Sequence, residues 1–442
     1  MTTLAKKERI QKEFKEKMDY DELLNCMRCG FCLPSCPTYI ESGNDEAHSP
    51  RGRIALMKAV VDGVIEPDND VKRSLDLCLG CRACEPVCPS GVKYGHLLEQ
   101  ARDIIYQNKK QSLAEKTARG IVFNKLFPNQ KQVINATSLL SFYQHSGLQK
   151  IARGIGFMKL FPESLQTMEK VLPSVPKRKE LKNRPSNLPA LQEKKKRVAF
   201  FSGCLMDTIF MATNDATMTL LQYAGCEIVV PHTQNCCGAL HGHSGEREKA
   251  KEMAKRNIIA FEHTKADYII TNAGGCGAFL VDYGYLLKDD PEWSIRAGLF
   301  SDKIKDITSI LYDLDFHHEN LELEEQIVTY QDSCHLKNGQ KTYEEPRKLI
   351  QSIRGVNYVE MKEASRCCGS AGIYNIVESE MSMKILDHKM KQTKQTKAKT
   401  VITANPGCLL QMKLGIEREG LSSTMRAVHI VDFLLEAYKT NH

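Results

Sequence analysis

No run in the chain comes near the roughly 18 continuous apolar residues that a membrane-spanning helix needs, which excludes a helical bilayer span. The first residues, MTTLAKKERIQKEFKEKM, lack the apolar stretch and small-residue cleavage site of a secretory signal and are expected to form an exposed helix. Trp293 is the only tryptophan, and the 61 Lys and Arg and 54 Asp and Glu are spread along the chain without a basic stripe, so no nucleic-acid partner is expected. Also absent are a G-x-G-x-x-G turn after a strand, a phosphate loop, and a defensible Ser, His and Asp constellation. No catalytic residue is therefore named. What the chain has in quantity is cysteine, 17 among 442 residues. Without a secretory signal, that number points to metal in a reducing compartment rather than to disulfides, and places the protein in the cytoplasm.

The cysteines begin with two ladders of one spacing, C-x2-C-x2-C-x3-C-P. Cys26, Cys29, Cys32 and Cys36 precede Pro37, and Cys78, Cys81, Cys84 and Cys88 precede Pro89. Structural zinc would need only pairs of C-x2-C, and a disulfide framework belongs to secreted chains; neither needs four cysteines and a proline twice over. The spacing is that of bacterial two-cluster ferredoxins, where three thiolates hold one 4Fe-4S cube and the fourth crosses to the other. On that pattern Cys26, Cys29, Cys32 and Cys88 hold one cluster, and Cys36, Cys78, Cys81 and Cys84 the second. Such a cube with four thiolates carries about two negative charges, so two of them lower the formal +7 to roughly +3.

Between the ladders, residues 48–65 read as a helix capped by Ser49 with Pro50 at its first position. Ile54, Leu56, Met57, Val60 and Val61 form its apolar stripe, expected to pack beneath the clusters and draw the ladders together. Arg51 and Arg53 near its start read as solvated first, and as donors of hydrogen bonds to a cluster or a partner second. Residues 97–195 read as a basic helical connector that packs on its own protein, docks on a partner or rests on a membrane surface, and ends in a linker with Pro173, Pro176, Pro185 and Pro189.

Beyond the linker the chain repeats itself. Cys204, Cys236, Cys237 and Cys276 recur as Cys334, Cys367, Cys368 and Cys408, with each Cys-Cys pair followed by glycine. RVAFFSG, YIITNAGG, IVTYQDS and TVITANPG read as strands running into Cys204, Cys276, Cys334 and Cys408, with helices such as MTLLQYAG and LLQMKLGI between or after them. In an open parallel sheet, ligands collect beyond the carboxyl ends of strands, where these cysteines stand. All eight are candidate metal or redox residues. Cys226 has no counterpart and reads as core, and His232, His241 and His243 read as polar loop residues. The expected architecture is multidomain α+β: a mainly helical two-cluster ferredoxin-type domain at 1–100, a connector and linker at 101–195, and two α/β cysteine-rich modules with parallel-type sheets at 196–325 and 326–442.

Together these motifs resemble the iron-sulfur subunits of bacterial glycolate oxidases, through NCMRCGFCLPSCPTY, HSPRGRIALM, CLGCRACEPVCPSGVKYG, FFSGCLMD, NCCGALHGHSGE, TNAGGCG, YQDSCHL, CCGSAGIYN and NPGCLLQMKLG. The resemblance implies an electron relay. A partner flavin subunit, carrying FAD, oxidises glycolate to glyoxylate, and this chain passes the electrons through two 4Fe-4S clusters towards an acceptor such as quinone, in the cytoplasm or at the inner face of the cell membrane. Equivalent subunits of lactate or glycerol-3-phosphate dehydrogenase systems, and thiol or disulfide reductases like heterodisulfide reductase, are the alternatives. Heterodisulfide reductases hold unusual clusters with C...CC...C-x-x-C; here Phe279 and Gln411 occupy the positions of the last cysteine. A further iron-sulfur cluster, zinc or a redox thiol site in the modules therefore stays open.

Overall fold

The computed structural model describes residues 3–108, 112–161 and 163–440, so the ends of the segments delimited above, with 109–111 and 162, lie outside the described residues. The ladder region is built on helices. Ser49 Oγ accepts the Gly52 amide at 2.9 Å and Pro50 opens the helix Pro50–Val61. Ile54, Met57, Val60 and Val61 bury against Phe14, Leu75, Leu97, Leu98, Ala101 and Ile104. The first helix, Thr3–Lys17, is thus not wholly exposed: Phe14 is fully buried, worth about 2–3 kcal/mol by transfer. The helix Tyr94–Asn108 belongs to the same core and runs across the division drawn at residue 100.

The connector packs only in part. Val133 of the helix Gln130–His145 joins the core of the first module, whereas Leu139, Phe142, Ile151, Ile155 and Leu160 face outward. The linker is not purely extended coil either. It contributes the short strand β1 (Asn187–Leu188), antiparallel to Ile228 and Val229.

Two sheets follow. The first places β1, β3 (Cys226–Val229), β2 (Lys196–Phe200), β4 (Tyr268–Thr271) and β5 (Ile304–Asp306) side by side in that order. The second runs β7 (Arg354–Tyr358), β6 (Glu322–Tyr330), β8 (Thr400–Thr403), β9 (Arg426–His429). Apart from β1, all neighbours are parallel. The order β3-β2-β4-β5 is repeated by β7-β6-β8-β9, so the cysteine repeat is a repeat of whole α/β units. Central strands are buried on both faces, which is why VAF of β2 and TVIT of β8 are unbroken apolar or β-branched runs. One shared core joins the two sheets: Val198, Phe200 and Ile270 of the first pack with Val328, Tyr330 and Ile402 of the second and with Phe433 of the helix Ile430–Lys439. No helix among the described residues is long and apolar enough to cross a membrane.

Candidate metal centres

The ladders share one backbone path. Positive φ falls at Arg28 (56°) and Gly30 (88°) in the first, and at the matching Gly80 (64°) and Arg82 (58°) in the second. Each then closes with the same pair of turns, Leu33 N to Gly30 O and Cys36 N to Leu33 O in the first, Glu85 N to Arg82 O and Cys88 N to Glu85 O in the second. A left-handed residue other than glycine costs roughly 1–2 kcal/mol, and arginine bears that cost once in each ladder. Alternating hand turns successive amides inward, the concave arrangement that receives anions such as cluster sulfides.

Cys26, Cys29, Cys32 and Cys88 line one cavity, walled by Phe31, Ile54, Pro89, Val92 and Tyr94 and also touched by Cys84. Cys29 is exposed, and burial pushes the Cys32 thiol up to about 11. Cys36, Cys78, Cys81 and Cys84 lie deeper and within electrostatic reach of one another. Burial and the neighbouring thiols push Cys81 and Cys84 well up. Burial would do the same to Cys78, but the Arg53 and Arg102 guanidiniums hold it below its ordinary value. Tyr94 Oη and the Gly80 amide also donate to the Cys78 sulfur, at 3.5 and 3.4 Å. Arg53 is therefore not solvated. It is fully buried, donating to Ser74 O at 2.7 Å and Thr38 Oγ1 at 3.0 Å, with Nη1 4.0 Å from Cys36 Sγ. Its place on the inner face follows from the helical period, since Arg53 lies one turn before Met57.

Each module gathers its four cysteines at the carboxyl ends of its strands. Cys204 follows β2, Cys276 follows β4, and the Cys236-Cys237 turn follows β3; β6, β8 and β7 do the same for Cys334, Cys408 and the Cys367-Cys368 turn. The Cys204 and Cys236 sulfurs are 3.6 Å apart. Contacts run on from Cys236 to Cys237 and Cys276, and in the second module from Cys334 through Cys367 and Cys368 to Cys408. Contact with Cys236, then burial, pushes the Cys204 thiol well up; contact with Cys367, then burial, does so for Cys334. Four adjoining sulfurs, all but Cys276 buried, are a donor set for a thiophilic metal or an iron-sulfur cluster, which would carry them as thiolates. The glycine after each pair is required by φ: 88° at Gly238 and 90° at Gly369, where a Cβ would also stand 2.7 Å from Ser382 O.

Phe279 and Gln411 close these sites. Phe279 is buried against Gly238 and Gly242, and Gln411 donates to Ser382 Oγ at 3.1 Å and accepts from Asn375 at 3.3 Å. Cys226 lies fully buried in the shared core. Of the three histidines, His232 does bond a loop residue, Ser186 at 2.6 Å, but His241 and His243 sit on the helix Ala239–His243. His241 is fully buried against Phe123 O at 2.7 Å, and His243 meets Glu99 at 2.7 Å, because the ladder and connector helices pack onto this turn.

The sites adjoin one another. Cys81 of the second ladder packs with Cys334 and Cys367 beside Leu79 and Tyr374. Asn338 holds Cys81 O at 2.9 Å and Tyr374 Oη holds Leu77 O at 2.9 Å. Cys276 in turn packs in a cluster with Cys368 and Cys408. The cysteine sites therefore form a row: first ladder, second ladder, second module, first module. No spacing within a single motif could have disclosed that order.

Ladders of this shape joined to paired cysteine-rich α/β units define an iron-sulfur protein, and comparison with known proteins supports each part. Residues 22–92 match the 4Fe-4S dicluster domain, 198–281 and 328–413 each match the Cysteine-rich domain, and 114–172 match the family described as "Glycolate oxidase iron-sulfur subunit, linker region". A Bacillus subtilis (strain 168) protein named "Probable glycolate oxidase iron-sulfur subunit" is 66% identical over 438 residues, 99% of each chain. The Escherichia coli (strain K12) "Glycolate oxidase iron-sulfur subunit" is 30% identical over 95% of this chain and 96% of its own. The chain belongs to the glycolate oxidase iron-sulfur subunit family. "Lactate utilization protein A" of Geobacillus sp. (strain WCH70) is 32% identical over 54% of this chain and 98% of its own.

Proposed function

We propose that the chain is the electron-transfer subunit of a glycolate oxidase complex, taking electrons from a partner flavin subunit that converts glycolate to glyoxylate and passing them towards an acceptor such as quinone. The observation that carries this reading is the gathering of the ladder cysteines into two adjoining sets. Cys26, Cys29, Cys32 and Cys88 hold one 4Fe-4S cluster, and Cys36, Cys78, Cys81 and Cys84 the other. Cys204, Cys236, Cys237 and Cys276, with Cys334, Cys367, Cys368 and Cys408, hold a further iron-sulfur cluster or zinc. Bound clusters supply one-electron chemistry. The chain's own residues exclude water from the second ladder, orient the sulfurs through Tyr94 and the Gly80 amide, and bring Cys81 against Cys334.

FAD belongs to the partner. The outward apolar residues of the connector support a seat for that partner, and the complex works in the cytoplasm or at the inner face of the cell membrane. Iron analysis with electron paramagnetic resonance tests the reading: at least eight irons per chain and two reducible 4Fe-4S signals are expected, and fewer of either overturns it. Cys88→Ser should damage the cluster of the first ladder; loss of the second ladder's cluster alone would reverse the assignment. The match to lactate utilization proteins favours lactate as the second reading. Assay of the co-purified complex with each acid separates the two.

A further inference from the structure

Arg53 carries a charge whose partner is missing from the side-chain inventory. Arginine does not deprotonate in proteins, and a buried charge is retained only where an opposite charge or a full set of acceptors meets it. Arg53 is fully buried, yet its hydrogen-bond partners are neutral oxygens, Ser74 O and Thr38 Oγ1, and the Cys36 sulfur. No carboxylate pairs with it among the described residues. Arg102 repeats the pattern at lower burial, its Nη2 donating to Leu75 O, Asp76 O and Cys78 O at 2.8, 3.3 and 2.6 Å. Arg51, only two residues before Arg53, shows the ordinary alternative: half-exposed and ion-paired with Glu46 at 2.7 Å. The first ladder thus has a cation already neutralised at the surface, and the second has two that are not.

We infer that Arg53, seconded by Arg102, is the residue pair that tunes the second ladder's site, raising the reduction potential of the cluster held by Cys36, Cys78, Cys81 and Cys84 relative to that of the first ladder. This rests on the reading that both ladders hold clusters. Reduction adds one electron, and so one negative charge, with no bond made or broken; the electron comes from the partner flavin. Burial alone opposes the added charge, because little solvent is present to stabilise it. A cation within the same low-dielectric pocket opposes that penalty, and an ion-paired, solvent-screened Arg51 does so far less. The consequence is direction. Electrons that enter at the exposed Cys29 loop are drawn inward, to the set that touches the second module.

Redox titration of the full chain followed by electron paramagnetic resonance tests this. The signal lost in Cys36→Ser marks the second ladder's cluster. In Arg53→Gln that signal should move to lower potential while the first ladder's stays in place, and Arg53→Lys should restore most of the shift. Arg102→Gln should give a smaller shift of the same sign. An unmoved potential in Arg53→Gln, or equal shifts of both signals, overturns the inference. If Arg53→Gln loses the cluster altogether, Arg102→Gln decides, and no downward shift there overturns it equally. Fewer than two reducible signals in the unmodified chain would sink the functional reading and this inference together, whereas two signals with unmoved potentials sink the inference alone.

Discussion

The two cysteine-rich modules share strand order, cysteine positions and the left-handed glycine after each cysteine pair, and they differ in almost everything those cysteines touch. In the first, Phe279 and Tyr283 lie against the cysteines, and Tyr283 Oη donates to Cys237 O at 2.6 Å. In the second the corresponding enclosure is polar: Ser382, Gln411 and the buried Lys389, whose ammonium bonds Glu363 O at 2.8 Å and Ala364 O at 3.2 Å. The second site meets a ladder sulfur directly, at Cys81, whereas the first meets that ladder through side chains, Asp282 with Arg82 at 2.6 Å. Strand ends keep the donor set in place in both copies. The loops around them are free to diverge, and there one copy has brought its cysteines against a ladder cysteine while the other holds the far end of the row.

The largest expected effect tests that inequality directly. Cys334→Ser should slow acceptor reduction by the assembled complex roughly 100-fold or more with both ladder signals intact, whereas Cys204→Ser at the far end should cost about tenfold or less. Equal losses in steady-state assays would break the distinction. In folding, by contrast, the modules should behave as one. Ile270→Ala and Ile402→Ala each open the shared core and should each cost about 2–5 kcal/mol, in a single calorimetric transition for both modules. Two separate transitions would mean independent cores.

A smaller effect is set by two helix caps at matching strand ends. Asp306, the last residue of β5, caps Ile307–Asp313 by accepting the Thr308 amide, and His429, the last residue of β9, caps Ile430–Lys439 by accepting the Val431 amide. Burial pushes Asp306 up to about 6 and His429 down to about 4. The folded chain therefore holds more protons than the unfolded at Asp306, whose stability contribution is lost as pH rises from about 4 to 6. At His429 it holds fewer, and that contribution grows as pH rises from about 4 to 6.5. Each amounts to something on the order of 3 kcal/mol, and they largely cancel. Relative to the unmodified chain, denaturant melts across this range should show Asp306→Asn gaining stability as pH rises and His429→Asn losing it. Least of all, Glu378→Gln removes the 2.6 Å contact with the mostly exposed Arg73 that ties the ladder region to the second module, and should cost under about 1 kcal/mol in the same melts.

The ladders and the repeat were legible because cysteine spacing and strand runs are local. The runs ending at Cys204, Cys276, Cys334 and Cys408 are the central strands β2, β4, β6 and β8, and Ser49 and Pro50 open their helix as read. What could not be read depends on contacts across distant segments. Arg53 looked solvated, since a charge near a helix start ordinarily is, and only the packing of Asn69–Asp76 and Tyr94–Asn108 over it buries it. His241 looked like a loop residue until Phe123 of the connector covered it. The meeting of Cys81 with Cys334 joins residues of different motifs, for which neither spacing carries a signal.

The helix Ile430–Lys439 lies in one core with Val198, Phe200 and Leu220. On the ribosome, the first strand of the first module, partly covered by the helix Met211–Tyr223, must therefore wait for a helix roughly 100 residues beyond its own unit before its apolar face is fully covered. A chain that stops short of this helix presents open sheet to the cell's proteases and chaperones. Synthesis of this helix is so a condition for survival of the sheet that carries Cys204.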